Sequence, residues 1–504
     1  PTSAVNGTTA MSIDTSLAPL PPERFGRAEA WHLLQRAGFG ADAATLERAV
    51  RDGLDVAVDR LVDYDVINAS ELEAPDVDPD VRRPLTEEEK RELRQARKDE
   101  DDEILERYHK LRQKANRGDR RMIARLRGWW MDRMARTPRP LEEKLTLLWH
   151  DHFATSHRAV RDAYLLYQQN ELLRRHACGN FANLAMGIVK DPAMLNSLNN
   201  NRNRKRRPNE NLAREFMELF TLSEGQYSEQ DVREAARALT GYTYDDNDFL
   251  FETEYHDDGE KRILGVEQRY DGEAFVRRLL TRRACSEFIA LKLYRHLVAD
   301  ISDDPDEAPE PAKRVIPELA LEIRRSRYDM RPAVRRLLKS RHFYERALLG
   351  QKVKSPAHFA AGTLRTLGVP KRNPGAVQAM LRNAGQELFA PPSVDGWAGG
   401  RAWINTSTLF LRQNLAAYLV TNDRGGRIDP AKLGYDPLAL AGELEDPSTR
   451  AYANRMVDVM LGPHVRGPTR QGVLNAAERA GSLETRTAAA VVLLITAAPE
   501  YQLC

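Results

Sequence analysis

Apolar residues recur every three or four positions through most of this chain, which is the period of one face of an α-helix. The pattern predicts helices at 139–157, 160–176, 180–189, 208–222, 228–240, 272–299, 310–325, 331–345, 353–367, 375–383, 405–420, 450–462 and 469–498. Only 248–256 and 261–266 have the pattern of strands, and they flank Asp258-Gly259, a dipeptide favoured in tight turns. We therefore expect a mainly α fold, a large multi-helix globular domain with one small inserted β-hairpin at 248–266.

Changes in composition divide the chain into parts. Residues 1–24 are rich in Ser, Thr and Pro, which predicts a disordered N-terminal lead-in. We expect a main helical domain over 25–420 and a C-terminal helical extension over 421–504 that packs on it.

Residues 85–125 differ from the rest of the main domain. Their pattern is helical, but there are almost no apolar residues between Leu93 and Ile104. We expect this segment to project as a helical arm. It is either a docking element for a protein partner or a solvated helix held by ion pairs.

Charge and cysteine content exclude several classes of protein. The chain has 76 Lys and Arg against 74 Asp and Glu, so no strong net field draws it to nucleic acid or anionic lipid. The basic run Arg204–Arg207 lacks interleaved aromatics, and a nucleic-acid partner is disfavoured. The three cysteines are far apart and outside any CxxC pattern, which argues against a disulfide framework or a structural zinc site. Motifs for dinucleotide, nucleoside triphosphate and calcium binding are absent from the sequence, so the cofactor is unknown.

The sequence also bears on the compartment. No apolar run reaches the roughly 18 to 20 residues of a membrane span. The first 26 residues lack the basic start and the apolar stretch of an export signal. The chain as given is expected to be soluble and cytoplasmic, or periplasmic or secreted if a leader upstream of Pro1 has been removed.

The stretch PNENLAREFMELFTL predicts an amphipathic helix whose polar face carries Glu210, Asn211, Arg214, Glu215 and Glu218. Arg214 is four residues from both Glu210 and Glu218, and such pairs form on any solvated helix. Glu215 and Glu218 lie one turn apart, close enough for one carboxyl to raise the pKa of the other where water is excluded. One protonated and one ionised carboxyl is what general acid and base catalysis requires. The face is therefore either a working site or an ordinary wet surface.

The stretch EKLTLLWHDHFATS contains two candidate histidines, His150 and His152. On a helix they point about 200° apart, so they cannot bind one metal ion together. His152 shares its face with leucines, which is typical of a satisfied buried histidine. The functional alternative is a proton-transfer residue facing a cleft, because imidazole titrates near neutrality.

The stretch YHDDGEKRILG places His256 beside Asp257. A tight turn at Asp258-Gly259 would account for most of the polar residues in this stretch without any catalytic role. The functional alternative is a histidine held by a carboxylate, as in catalytic triads.

The Gly- and Pro-rich loop 385–409 contains Asp395, Trp397 and Trp403. Exposed tryptophans in a long ordered loop suit stacking on a ligand, notably a sugar ring. Alternatively, the aromatic rings pin the loop to the core.

Seven stretches in this order carry a family resemblance: RMARTPRPLEEKLTLLWHDHFATS, DPAMLNSLNN, PNENLAREFMELFTL, YSEQDVREAARALTGY, HDDGEKRILG, KVKSPAHFAAGTLRTLG and PPSVDGWAGGRAWIN. Together they resemble the bacterial family catalogued as domain of unknown function 1800, from about Ala28 to about Asn414. The resemblance implies a mostly helical protein with polar motifs at Trp149–Phe153, Asn209–Leu222 and His256–Lys261, and it implies no established activity. Members of that family are often exported or encoded near envelope proteins, whereas this sequence shows no leader.

The leading hypothesis is a hydrolase that acts on a polymer such as a polysaccharide. Glu215 or Glu218 would be the general acid or base, and Arg214 would orient a carboxylate or an anionic substrate. His152, or His256 with Asp257, would complete proton transfer. The substrate-binding residues would be Glu210, Asn211, His150, Asp395, Trp397 and Trp403.

Two alternatives stay open. The protein could be a non-catalytic scaffold or assembly partner that docks through the arm at 85–125, with Glu210, Arg214 and Glu218 as a network between helices. It could instead be a metal-dependent enzyme. The metal ligands would then be His152, Glu215, Glu218 and His256.

Overall fold

The computed structural model describes residues 13–302, 304 and 307–504, and α-helices make up most of them. The helices that precede the strands are α1 (Arg27–Arg36), α2 (Ala43–Val62), α3 (Glu87–Asp99), α4 (Asp102–Arg136), α5 (Pro140–His152), α6 (His157–Val160), α7 (Ala163–Arg175), α8 (Phe181–Ile188), α9 (Pro192–Ser197), α10 (Asn211–Met217) and α11 (Glu229–Ala238). The strands are β1 (Tyr242–Asp245), β2 (Asp248–Phe251), β3 (Glu260–Ile263) and β4 (Val266–Arg269). The helices that follow are α12 (Gly272–Leu280), α13 (Arg283–Leu297), α14 (Glu310–Arg325), α15 (Met330–Lys339), α16 (Pro356–Thr366), α17 (Pro374–Asn383), α18 (Thr406–Thr421), α19 (Thr449–Met460), α20 (Pro468–Arg479) and α21 (Thr485–Ala497). The predicted mainly α class with a small β insertion is confirmed.

The β insertion consists of two hairpins, so the strand pairing predicted from the sequence is wrong. β1 pairs with β2 around Asp246–Asn247, and β3 pairs with β4 around Leu264–Gly265. Asp258-Gly259 lies in the loop between the two hairpins. There the N–H of Gly259 donates to the carboxylate of Asp257 at 2.9 Å. Such a local Asx turn uses the same residue types as a tight hairpin turn, which is why the signal was misleading.

Helix α1 is buried and contacts segments from the second half of the chain. The indole N–H of Trp31 donates to the carbonyl oxygen of Val459 at 3.1 Å. The guanidinium of Arg36 donates to the carbonyl oxygens of Val298 at 2.6 Å and Leu348 at 2.8 Å. Because a buried donor without a partner is costly, these bonds tie α1 to three later segments.

Residues 13–24 are packed, in contrast to the disordered lead-in predicted over 1–24. Leu17 and Leu20 are buried in the core, and the N–H of Leu20 donates to the carbonyl oxygen of Lys339 at 2.8 Å. The high Ser, Thr and Pro content indicates disorder and does not reveal that Leu17 and Leu20 pack into the core. Residues 1–12 of the predicted lead-in lie outside the described residues.

Residues 421–504 share their apolar core with the rest of the chain. α21 packs against α18 and α19, and Val353 forms a β-bridge with Leu503. Residues on both sides of the predicted boundary at 420 belong to one continuous hydrophobic cluster. The boundary itself stays a prediction.

The segment predicted as an arm is a hairpin of α3 and α4. In α3, all of which the structure describes, only Ala96 is buried, and in the first half of α4 only Tyr108 is buried. The hydroxyl of Tyr108 donates to Glu92 at 2.6 Å, and Arg107 pairs with the same carboxylate. Polar contacts therefore hold this solvent-exposed hairpin together.

A buried cluster of charges fixes the first turn of α5. Glu143 is 0% exposed and accepts hydrogen bonds from the indole of Trp130 at 2.8 Å and from Arg174 at 2.7 Å. Arg133 pairs with the same carboxylate. Because α4, α5 and α7 each supply members of this cluster, α5 is held in a defined position against its neighbours.

Candidate functional site

A cavity of about 670 Å³ lies where five segments of the chain meet. Its walls are one face of α5, one face of α13, the turn after α10, the loop 394–403 and the segment 352–358. Charged residues on the walls include Lys144, Asp151, Glu218, Lys292, Lys352 and Asp395. The volume lies in the range of cavities that hold small organic ligands.

Helices α5 and α13 run in opposite directions along two sides of the cavity. Near the start of α5, Nε2 of His296 donates to the carbonyl oxygen of Lys144 at 2.9 Å. Near its end, the ring of Phe288 lies 5.9 Å from the ring of His152. Lys144 and Asp151 are two turns apart on the same face of α5. This face supplies one long wall of the cavity.

Helix α10 continues into a π-helical turn at Glu218–Leu222. Widened turns of this kind recur at functional sites. Here Glu218 lines the cavity, and the hydroxyl of Tyr227 donates to its carboxylate at 2.7 Å. The carbonyl oxygen of Phe220 accepts a hydrogen bond from Nε2 of His152 at 3.1 Å, which joins the turn to α5.

Gly396 brings the loop 394–403 against Asp151. Its φ is 83°, and a Cβ here would lie 2.3 Å from Oδ1 of Asp151, so no side chain fits. The close approach lets the N–H of Trp397 donate to that oxygen at 2.7 Å. Trp397 and Trp403 are 7% and 8% exposed and form part of the cavity wall. They are therefore wall residues and not exposed platforms.

Three titratable groups of the cavity have strongly shifted pKa values. Burial raises the pKa of Asp151 to about 6, against the opposing effects of the Trp397 N–H and of Lys292. Burial lowers the pKa of Lys292 to about 8 and that of Lys144 to about 7. Groups that titrate near neutrality are suited to proton transfer, and their presence in one cavity marks it as a candidate active site.

Two histidines of the wall each have a buried ring nitrogen with no hydrogen-bond partner among the described residues. These atoms are Nδ1 of His152 and Nε2 of His358. Burial lowers the pKa of His152 to about 3 and that of His358 well below its usual range, so both rings are neutral. Nδ1 of His358 lies 3.0 Å from Nζ of Lys144. Both residues line the cavity, and each ring has one nitrogen whose hydrogen-bonding capacity is unused among the described residues.

Five residues predicted from the sequence line the cavity: His152, Glu218, Asp395, Trp397 and Trp403. Glu215 is adjacent to them, since burial and then the neighbouring Glu218 and Asp395 raise its pKa. The expected influence of Glu218 on the pKa of Glu215 is thus present.

Glu210, Asn211 and Arg214 do not line the cavity. The guanidinium of Arg214 donates to both carboxylate oxygens of Glu229, at 2.7 and 2.8 Å, and to Glu210 at 3.1 Å. The N–H of Asn211 donates to the side chain of Asn209 at 3.0 Å, at the start of the helix. Arg214 therefore ties α10 to α11 on the protein surface.

His150 is a core residue behind the cavity wall. Its Nε2 accepts a hydrogen bond from the N–H of Phe389 at 3.1 Å. Its ring packs 5.1 Å from Trp130 and 5.7 Å from Trp397. Burial lowers its pKa to about 3. It is a neutral histidine that supports Trp397, a residue of the wall.

His256 and Asp257 do not form the pair found in triads. Nδ1 of His256 donates to the carbonyl oxygen of Thr240 at 2.8 Å, and Asp257 accepts from Arg237 at 2.7 and 3.1 Å. Neither residue lines the cavity. Within the described ranges no group of three or more His, Cys, Asp or Glu side chains is placed to hold a metal ion, so the four residues named for such a site do not form one.

Sequence reasoning missed Lys144, Asp151, Lys292 and His358, although Asp151 lies between the two histidines that were singled out. A usable signal was present on α13, where Lys292 stands between Leu291 and Leu293. When the apolar residues on both sides of a lysine are buried, the lysine is buried with them. A buried charge needs polar partners, so such a lysine indicates a polar site inside the protein.

The fold and the site define a mainly α protein with a partly open cavity that titratable side chains line. The family model described as "Protein of unknown function (DUF1800)" matches residues 32–503. The chain belongs to this family, and the match extends well past Asn414, the end of the resemblance seen in the sequence. No curated protein and no solved structure shows significant similarity to the chain. Within the part of the chain that the structure describes, no helix has the length and apolar character needed to cross a bilayer.

Proposed function

We propose that the protein is a hydrolase whose acid–base chemistry takes place in the cavity between α5 and α13. The observation that supports this most is the convergence of Asp151, Glu218 and Lys292 from three separate segments on one cavity. Charged side chains that only keep a protein soluble stay in water. Placing them together in a cavity has a desolvation cost, which indicates a function at the site.

Asp151 would act as the general acid and Glu218 as the general base. A carboxyl with a pKa of about 6 is partly protonated near neutrality and can donate to a leaving group. The hydrogen bond from Tyr227 holds the carboxylate of Glu218, which would activate a water molecule. Lys292 would stabilise negative charge that develops between them.

The cavity volume favours a small molecule or the end of a chain over the middle of a polymer. An internal segment of a polysaccharide needs an open groove, whereas the loop 394–403 and the π-helical turn enclose this space on two sides. We therefore restrict the proposed polymer substrate to a chain end, with Trp397 and Trp403 as its apolar wall.

The proposal is tested with purified protein on chromogenic glycosides, carboxylic esters, phosphate esters and amides. We expect turnover of one class, and we expect Asp151→Asn and Glu218→Gln each to lower kcat by about 100-fold or more. Glu103→Gln makes the same chemical change at an exposed position of the arm and should leave kcat unchanged. A wild-type rate in the Asp151→Asn variant would refute the assignment.

A second proposal concerns the arm at 85–125. Between 107 and 125, the exposed surface of α4 carries eight basic side chains: Arg107, Lys110, Arg112, Lys114, Arg117, Arg120, Arg121 and Arg125. The one acidic residue of this stretch, Asp119, is buried. We propose that this surface docks an acidic protein partner. Reversal of charge at Arg112, Lys114 and Arg117 should abolish co-purification of that partner without changing hydrolysis, and retention of the partner by the variant would refute the proposal.

A further inference from the structure

The two ends of the cavity have opposite chemistry. α5 runs along the cavity, and Lys144 and Asp151, seven positions apart, are separated by about 10 Å along the helix axis at about 1.5 Å per residue. At one end, called the lysine end, lie Lys144 and His358, beside the ion pair of Lys352 and Asp300. At the other, called the carboxylate end, lie Glu218 and Asp395 with His152. A ligand that spans the cavity therefore meets different partners at its two ends.

The lysine end presents hydrogen-bond donors. Nζ of Lys144 lies 3.0 Å from Nδ1 of His358, and within the described residues Lys144 forms no ion pair with a carboxylate. In its ammonium form Lys144 can only donate, and Nδ1 of His358 is then the acceptor with the ring proton on Nε2. Nε2 is the nitrogen without a partner, on a ring that is 3% exposed. An ammonium and an imidazole N–H together suit the oxygens of an anionic group.

The carboxylate end presents hydrogen-bond acceptors. Nε2 of His152 donates to a backbone carbonyl, so Nδ1 is an acceptor; it has no partner, and the residue is 6% exposed. Glu218 and Asp395 lie beside it, and in the described part of the chain neither forms an ion pair with a lysine or an arginine. Lys292 borders this end, since it interacts with Asp395, Asp151 and His152. Two carboxylates and an unprotonated ring nitrogen suit an amine.

We propose that the cavity binds a small zwitterion in one orientation, with its anionic group at the lysine end and its amine at the carboxylate end. The inference rests on the proposed function in treating the cavity as the substrate site, and it adds the substrate class. A neutral sugar would leave Lys144 and Glu218 without charged partners, whereas a zwitterion satisfies both. Reversal of the ligand would place like charges together at both ends.

Linear ω-amino acids, from aminobutanoate to aminooctanoate, are suitable probes because they vary the distance between amine and carboxylate alone. Each is compared with the alkanoate and the alkylamine of the same chain length, by calorimetry at neutral pH and low salt. We expect one chain length to bind at least about tenfold more tightly than either matched compound, since each charge-assisted hydrogen bond is worth that factor or more.

Two substitutions assign the ends. The Lys144→Met variant should bind the best ω-amino acid only as tightly as the wild type binds the matched alkylamine. The Glu218→Gln variant should bind it only as tightly as the wild type binds the matched alkanoate. Lys371→Met and Glu103→Gln repeat these changes at exposed positions outside the cavity and should bind like the wild type. Circular dichroism and thermal unfolding establish that each variant is folded.

Equal affinities for the zwitterion, the anion and the amine would overturn the proposal, as would failure of the whole series to bind. Unchanged binding in both Lys144→Met and Glu218→Gln would also overturn it, because the ligand would then occupy another site. These measurements need no turnover. A variant Asp151→Asn that hydrolyses at the wild-type rate would refute the proposed reaction and leave the binding result in place.

Discussion

Replacement of Gly396 by alanine tests the contact that shapes the cavity. The new Cβ would lie 2.3 Å from Oδ1 of Asp151 and 2.6 Å from its backbone oxygen, so the loop 394–403 has to move. The N–H of Trp397 then loses its acceptor. A left-handed backbone costs an L-residue about 1–2 kcal/mol, and a lost hydrogen bond to a charged group costs about 1.5–3 kcal/mol. We expect Gly396→Ala to lower the free energy of unfolding by about 3–5 kcal/mol.

Gly481→Ala is the matched control. Gly481 has a φ of 80°, against 83° at Gly396, but nothing lies within 4 Å of the position of its Cβ. The free energy of unfolding of Gly481→Ala should fall only by the cost of the left-handed backbone, about 1–2 kcal/mol. Urea unfolding of both variants at about pH 8, where Asp151 is ionised, gives the comparison. Equal losses in the two variants would refute the reasoning, because the close approach to Asp151 would then have no energetic consequence.

Asp151→Asn should flatten the pH dependence of stability. The folded state favours the protonated carboxyl, so the wild type should lose up to about 3 kcal/mol as the pH rises from about 4 to about 6, less the screening by solvent in the cavity. Parallel stability curves for wild type and variant would contradict this. Glu143→Gln should lower the free energy of unfolding by about 1.5–3 kcal/mol, because the buried guanidiniums of Arg133 and Arg174 lose the carboxylate that they share and retain only Glu142 and Glu171, respectively; a loss below about 1 kcal/mol in urea unfolding, typical of surface pairs, would disprove it. His256→Asn retains a donor for the backbone bond, so kcat should stay unchanged while the melting temperature falls slightly; lost turnover in a folded variant would make His256 a catalytic candidate again.

Helix positions could be predicted because the amphipathic period is a local signal that packing reinforces. The patterns at 228–240 and 310–325 predicted α11 and α14 to within two residues at each end. Strand pairing could not be predicted, because it depends on the turn that joins two strands. Leu264 adopts a φ of 49° in the turn of the second hairpin. Leucine rarely takes this conformation, so the sequence does not predict a turn there.

In the candidate site, only contacts between residues close together in the sequence could be predicted. The spacing of Glu210 and Arg214 predicted their ion pair, which forms. The environment of Asp151 depends instead on the backbone of Trp397, 246 residues further along the chain. A sequence pattern gives the positions of charges on each helix, but it does not show which of them a distant loop will enclose.

The contacts of α1 also limit how early the chain can fold during its synthesis. Trp31 and its hydrogen-bond partner Val459 are 428 residues apart, and Arg36 and Leu348 are 312 apart. At roughly 5 to 20 residues per second, a ribosome needs roughly 20 to 90 s to deliver the partner of Trp31. Throughout that interval the apolar face of α1 lacks its final cover, so the nascent chain exposes an apolar segment for tens of seconds.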